Sequence, residues 1–218
     1  MREQKKYIYK KWLQFIWGLV VYSFGIYCTI NAGIGAAPWD VFALGAARHL
    51  PVSYGVVVTV INIILVTFDW KMGERVGFGT IYDALLTGNL TDIWLRLNPL
   101  GSGHNLVSGV IILVSGLFVL ALGMYFAMSA GQGCGPKDAL LLVAGKRLPR
   151  VPVGVIQIVI FASALAAGVL LGGPAGIGTV ISVACSGLAL QTVFHILHYE
   201  PRETIHLDLF ETLKVLRA

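Results

Sequence analysis

The chain has 218 residues, of which 56% are hydrophobic and only 12% are charged. A soluble domain carries about 25% charged residues, so this composition excludes a soluble enzyme or binding module and indicates an integral membrane protein. The formal net charge of +5 is explained by a basic N-terminus and requires no nucleic-acid partner.

The first predicted element is a long apolar helix over residues 12–31. This stretch is too long for a cleaved signal peptide, so we expect a retained first span. The basic residues before it place the N-terminus in the cytoplasm, in contact with membrane lipid headgroups. They are Arg2, Lys5, Lys6, Lys10 and Lys11.

A glycine-rich turn then leads into a short helix over residues 38–50. The turn reads G-x-G-x-x-P-x-D, with Gly33, Gly35, Pro38 and Asp40 at the fixed positions and Trp39 between the last two. Glycine permits a tight turn, proline begins a helix, and an aspartate in the first turn interacts favourably with the helix dipole. The pattern thus fits a structural break. It also fits a binding site, because non-helical backbone at membrane depth must face protein or a watery cavity.

Two further segments, residues 54–68 and 77–97, complete the first half, and the whole pattern then recurs. The second half has a long helix at 106–129, a turn and short helix at 136–148, and segments at 152–171 and 176–197. Its turn carries Gly131, Gly133, Pro136 and Asp138, with Lys137 where the first half has tryptophan. The fourth segments both begin with G-x-G-T, for which helix packing is the favoured role. Two related halves are typical of transporters whose site lies between them.

The short helices determine the number of spans. Each has roughly a dozen residues and carries charge, which favours a helix that does not cross. If neither crosses, each half has three spans, the halves are inverted and the total is six, which we favour. If both cross, the total is eight and the halves are parallel. The positive-inside rule does not separate these alternatives.

We therefore predict an all-α polytopic membrane protein with two homologous halves in a single membrane domain. The first repeat covers about residues 12–97 and the second about 106–197. The tail, residues 200–218, is predicted to be a cytoplasmic amphipathic segment on the membrane.

Asp40 and Asp138 are the leading functional candidates, because ionisable residues within a membrane are costly and usually functional. Trp39 and Lys137, at matched positions, are suited to bind different ends of one substrate, although both residue types are also common at the membrane interface. Asp92 and Gln191 form a lesser candidate pair. Each follows a matched glycine by four residues and so lies one helical turn beyond it.

Other chemistry has no positive signal. Asp83 and Asp92 are about nine residues apart on one helix, so they face nearly opposite sides and are not expected to act as a carboxylate pair. The histidines and cysteines lack metal-site spacing, and no phosphate loop or catalytic motif is present. We expect no enzyme activity, no cofactor and no metal.

The motifs GIGAAPWD, GCGPKDALLL and LLGGPAGIGTV resemble those of the YczE/YyaS/YitT group of bacterial integral membrane proteins, and most closely its shorter YczE-like members. The resemblance covers about residues 12–197 and implies a small multi-pass protein of the bacterial inner membrane. Many relatives carry an acidic residue where this chain has Phe161, so any role of that acid is absent here.

The leading functional hypothesis is a small-molecule transporter or exporter with its site between the halves, coupled to protons or cations through Asp40 and Asp138. The competing hypothesis is an accessory membrane protein that transports nothing and supports a membrane-associated biosynthetic enzyme. A carrier requires a hydrated cavity at the two aspartates, whereas a scaffold would bury them as ion pairs. The glycine-rich helices would also permit a homodimer.

Overall fold

The computed structural model describes residues 2–74, 76–101, 105–133 and 135–200, and the described chain is helical with no strands. Eight helices follow one another along it. They are α1 (Arg2–Asn31), α2 (Pro38–Ala47), α3 (Tyr54–Lys71), α4 (Phe78–Leu97), α5 (Leu106–Ser129), α6 (Pro136–Arg147), α7 (Val153–Leu170) and α8 (Ile177–Ile196).

Helices α1 and α5 form the centre of the molecule and run antiparallel. Lys11 Nζ, near the start of α1, donates a hydrogen bond to the carbonyl oxygen of Ser129 at the end of α5, at 2.7 Å. At the opposite end, Gly109 near the start of α5 lies against the backbone of Ala32, just after α1. Glycines along both helices allow this close approach, because a side chain at these positions would meet the partner's backbone.

The other helices pack around this pair in matching positions. Helix α4 packs on α1 and α8 on α5, while the short helices cross over, with α2 against α7 and α6 against α3. The first helix of each half therefore contacts the fourth helix of that half, and the short helix of each half contacts the third helix of the other.

Five helices among the described residues are long and apolar enough to cross a membrane: Tyr9–Asn31, Tyr54–Lys71, Leu106–Ser129, Val153–Leu170 and Ile177–Ile196. Helix α4 has 20 residues, a sufficient length, but it contains Asp83, Asp92 and Arg96 and is not among these five apolar helices. The short helices have 10 and 12 residues, well below the length of a span.

The predicted segments agree with the observed helices to within a few residues, except at the N-terminus. Helix α1 begins at Arg2 rather than at residue 12, because the intervening residues are mostly lysine, arginine, glutamate and glutamine, which are good helix formers. The amphipathic tail predicted for residues 200–218 lies almost entirely outside the described residues, so that prediction is untested.

Candidate functional site: a cavity between the halves

The two glycine turns have nearly the same backbone. Gly33 and Gly35 have φ of 70° and 116°, and Gly131 and Gly133 have φ of 72° and 125°. These values lie in the left-handed region that favours glycine. The G-x-G-x-x-P-x-D pattern therefore specifies a particular turn, and it does so in both halves.

Each turn is fixed by the G-x-G-T segment of the other half. The Gly178 amide donates to the carbonyl oxygen of Ile34 at 2.8 Å, and the Gly79 amide donates to that of Gln132 at 2.9 Å. Added side chains at Gly79 or Gly178 would collide with these turns. The G-x-G-T motifs thus serve packing, as expected, and they lock the halves together.

Beyond the turns, the first residues of α2 and α6 line a cavity of about 280 Å³. Six of the predicted substrate-contacting residues, all on the two short helices, and one turn glycine lie in its wall. They are Pro38, Trp39 and Asp40 from the first half, and Gly133, Lys137 and Asp138 with Pro136 from the second. Gly33, Gly35 and Gly131 shape the turns but do not line the cavity.

Asp40 is buried, with 5% of its surface exposed. Its carboxylate accepts a hydrogen bond from the Tyr54 hydroxyl at 2.9 Å. Tyr54 is the first residue of α3 and is itself buried, so this bond ties the short helix of the first half to the third. A buried carboxylate is costly unless it is hydrogen-bonded, and here one hydroxyl meets part of that requirement.

Asp83 joins the site although it was not among the predicted site residues. Its carboxylate on α4 accepts a hydrogen bond from Thr87 and lines the cavity with Asp138. Both carboxylates converge on Gly135, where a Cβ would lie 2.9 Å from Asp83 Oδ2 and 3.2 Å from Asp138 Oδ2. The sequence feature that could have identified Asp83 was the repeat. The position that matches Asp83 in the second half is Ser182, which is also polar and also lies in the cavity wall.

Lys137 and Trp39 meet across the cavity. The Lys137 ammonium lies 5.6 Å from the centroid of the Trp39 ring, within the range of a cation–π interaction. Lys137 also interacts electrostatically with Asp40, Asp83 and Asp138. The matched tryptophan and lysine therefore both lie in the cavity wall.

Three polar groups in the cavity wall have no hydrogen-bond partner among the described residues: the indole nitrogen of Trp39, the amide oxygen of Asn62 and the hydroxyl of Ser182. The side chains of Asn62 and Ser182 are only 3% and 2% exposed. Buried polar groups are nearly always paired with protein or ordered water, so these groups mark positions for water or a ligand.

Asp92 and Gln191 lie outside the cavity. Asp92 Oδ1 accepts a hydrogen bond at 2.9 Å from the amide of Gly55, in the first turn of α3, and so pairs one of the backbone N–H groups that the helix leaves free there. Gln191 is exposed on α8. Asp92 and Gln191 occupy matched positions in the sequence, but their contacts differ, and neither residue lines the cavity.

The glycines one helical turn before Asp92 and Gln191, Gly88 and Gly187, also differ in their contacts. Gly55 of α3 and Gly88 of α4 touch, and a Cβ on Gly88 would lie 2.5 Å from the Gly55 carbonyl oxygen. At the matched Gly154 of α7 and Gly187 of α8, nothing lies within 4 Å of an added Cβ. We call these two places the α3–α4 seam and the α7–α8 seam. The first is closed and the second is open, since α7 and α8 make almost no contact.

The arrangement of these groups is suited to binding a small molecule. Among the described residues, no group of three or more histidine, cysteine, aspartate or glutamate side chains is placed to hold a metal ion. The cavity instead combines separated carboxylates, one ammonium and an apolar wall, which is typical of small-molecule sites.

Residues 9–195 match the family of unknown function DUF6198. The uncharacterised membrane protein YczE of Bacillus subtilis is 27% identical over 194 residues, covering 86% of each chain. The uncharacterised protein YyaS of the same organism is 26% identical over 185 residues, covering 83% of this chain and 90% of its own. No solved structure matched the chain.

Proposed function

The chain belongs to the DUF6198 family of unknown function, and we propose that it is a small-molecule transporter whose binding site is the central cavity. It is a multi-pass membrane protein similar to YczE. We further propose six spans in two inverted halves, in the bacterial inner membrane with both termini in the cytoplasm. The antiparallel α1 and α5 support inversion, because matched helices that both cross would then cross in opposite directions.

The state of the two aspartates supports a carrier over a scaffold. Asp40 accepts a hydrogen bond from a tyrosine hydroxyl, whereas an observed ion pair joins Lys146 to Glu74 outside the cavity. Asp40 and Asp138 both line an open volume that also contains unpartnered polar groups. A scaffold would gain stability by filling such a cavity, since buried voids are destabilising.

The observation that carries the proposal is the inequality of the two seams. Matched glycines touch in the α3–α4 seam and stand apart in the α7–α8 seam. With the N-terminus in the cytoplasm, the closed seam lies on the external side of the cavity and the open seam on the cytoplasmic side. Exchange of these two arrangements would open the cavity to the other side, which is alternating access between inverted repeats.

Two-sided accessibility of the cavity tests this proposal. The native Cys28, Cys134 and Cys185 would be replaced by serine, and Ser186→Cys introduced in the cavity wall of α8. Right-side-out and inside-out vesicles would be treated with a membrane-impermeant methanethiosulfonate reagent. We expect labelling from both sides, since the protein would exchange between the two states.

Matched leucine variants make the test specific. Gly187→Leu should keep the α7–α8 seam open, which retains cytoplasmic labelling and reduces external labelling. Gly88→Leu should prevent closure of the α3–α4 seam and have the reverse effect. Labelling from one side only, or from neither, in the parent protein would overturn transport and favour the accessory role.

A further inference from the structure

We propose that the substrate of this cavity is a small organic cation with an apolar body, such as a protonated amine. This inference rests on the proposed function and specifies its substrate class. It begins with charge: three carboxylates line the cavity against one ammonium, that of Lys137. With these groups ionised, the site has a net negative charge that Lys137 alone cannot balance, so a cationic ligand would be attracted.

The carboxylates are arranged unequally. The Asp40 carboxylate accepts a hydrogen bond from the Tyr54 hydroxyl at 2.9 Å. Asp83 and Asp138 converge near Gly135 and repel each other. An ammonium between them would relieve this repulsion and donate charge-assisted hydrogen bonds to both carboxylates. We therefore place the positive group of the substrate at Asp83 and Asp138.

The remaining wall favours an apolar body. Helices α1 and α5 contribute matched leucines, Leu19 and Leu117, and α7 contributes Ile160 and Phe161. The volume of about 280 Å³ is at the lower end of ligand cavities, which suits a molecule of one ring or a short chain. A bare metal ion or proton would leave this apolar wall without a function.

The unpartnered groups give the site further selectivity. The indole N–H of Trp39 can donate a hydrogen bond, and the amide oxygen of the 3%-exposed Asn62 can accept one. Neither has a partner among the described residues. These groups would satisfy a neutral polar substituent on the substrate, and they are a second observation, independent of charge, that the cavity takes a ligand.

Lys137 has the opposite effect from the carboxylates. Its ammonium already occupies the face of Trp39 and interacts with all three aspartates. It therefore competes with a cationic substrate for the same groups. Removing it should strengthen binding of a cation, while removing Asp83 or Asp138 should weaken it.

Three probes of nearly equal shape test the charge preference: phenethylammonium, 3-phenylpropionate and 2-phenylethanol. Each would be titrated by calorimetry into the purified full-length protein in detergent, with thermal stabilisation as a second readout. We expect the cation to bind more tightly than the anion and the alcohol. Asp83→Asn and Asp138→Asn should each weaken cation binding by about tenfold or more, since a neighbouring charge shifts such equilibria by about one to three decades.

Two more variants keep the test decisive if an asparagine variant fails to fold. Lys137→Gln should strengthen cation binding by about tenfold. Glu74→Gln removes a carboxylate that is paired with Lys146 outside the cavity, and it should leave binding unchanged. The substrate class is overturned if phenethylammonium does not bind, if the anion binds as well, or if Lys137→Gln fails to increase cation affinity.

Failure of this inference can be distinguished from failure of the transport proposal. Two-sided labelling of Ser186→Cys without a cation preference would overturn the substrate class alone. One-sided labelling with a clear cation preference would overturn transport and leave a cation-binding membrane protein.

Discussion

The two seams predict opposite effects of the same substitution at matched positions. Gly88→Ala would place a Cβ 2.5 Å from the Gly55 carbonyl oxygen and 3.0 Å from Val58 Cβ, whereas Gly187→Ala would meet nothing within 4 Å. Overpacking of this kind costs about 1–3 kcal/mol. Alanine in a helix gains about 1 kcal/mol over glycine. Since the helix term is common to both variants, their stabilities should differ by about 1–3 kcal/mol.

Thermal unfolding of the purified protein measures this difference. In a chain of this size, each kcal/mol changes Tm by about 2–4 °C. Gly187→Ala should have the Tm of the parent protein or a slightly higher one, and Gly88→Ala should have the lower Tm of the two. Gly154→Ala serves as a control, because its Cβ also meets nothing within 4 Å. Equal losses in Gly88→Ala and Gly187→Ala would refute the unequal seams.

Two further predictions concern hydrogen bonds around the site. Asp92→Ala removes the acceptor for the Gly55 amide and should destabilise the protein by about 0.5–2 kcal/mol. Gln191→Ala, at an exposed position on α8, should be close to neutral. Equal Tm losses in the two variants would contradict the role given to the Asp92 hydrogen bond. Tyr54→Phe removes the hydrogen-bond donor to Asp40 and should lower the free energy of unfolding by about 1–3 kcal/mol, measured by thermal unfolding. If the lost hydrogen bond is the cause, the double variant Tyr54→Phe with Asp40→Asn should lose less stability than the sum of the two single variants.

The starts of four helices could be predicted from the sequence because each has a local signal. Proline at the first position of α2 and α6, and glycine before α4 and α8, mark boundaries that do not depend on the rest of the fold. The predicted start of α1 was wrong, because the charged residues before residue 12 were excluded from the helix on account of their polarity. Most of these residues are good helix formers.

The residues that line the cavity could be predicted only where the sequence repeat made them recognisable. Asp40, Asp138, Trp39 and Lys137 stood out as matched positions in a broken motif, and all four line the cavity. Asp83 did not, since its closeness to Asp138 depends on how α4 of one half packs near α6 of the other. Spacing along one helix could exclude a pair with Asp92 but could not reveal a partner in the other half.

The inequality of the seams could not be predicted, because both halves carry the same glycines. One difference in sequence is the residue one turn later, Asp92 in the first half and Gln191 in the second. Asp92 holds the first turn of α3 by an N–H to carboxylate bond, which is stronger than the bond that a neutral amide could make. This difference would favour closure of the α3–α4 seam over the α7–α8 seam.

A carrier with two identical seams would have two states of equal free energy. A charged acceptor in only one of them biases the resting state, and a ligand then needs to bind the other state more tightly by a comparable amount to move the equilibrium. One hydrogen bond to a charged group contributes about 1.5–3 kcal/mol, which is within the range that a small ligand can supply through differential binding. In the proposed carrier, the difference between aspartate and glutamine at these matched positions would therefore be large enough in free energy to set the direction in which the empty cavity opens, without preventing the other state.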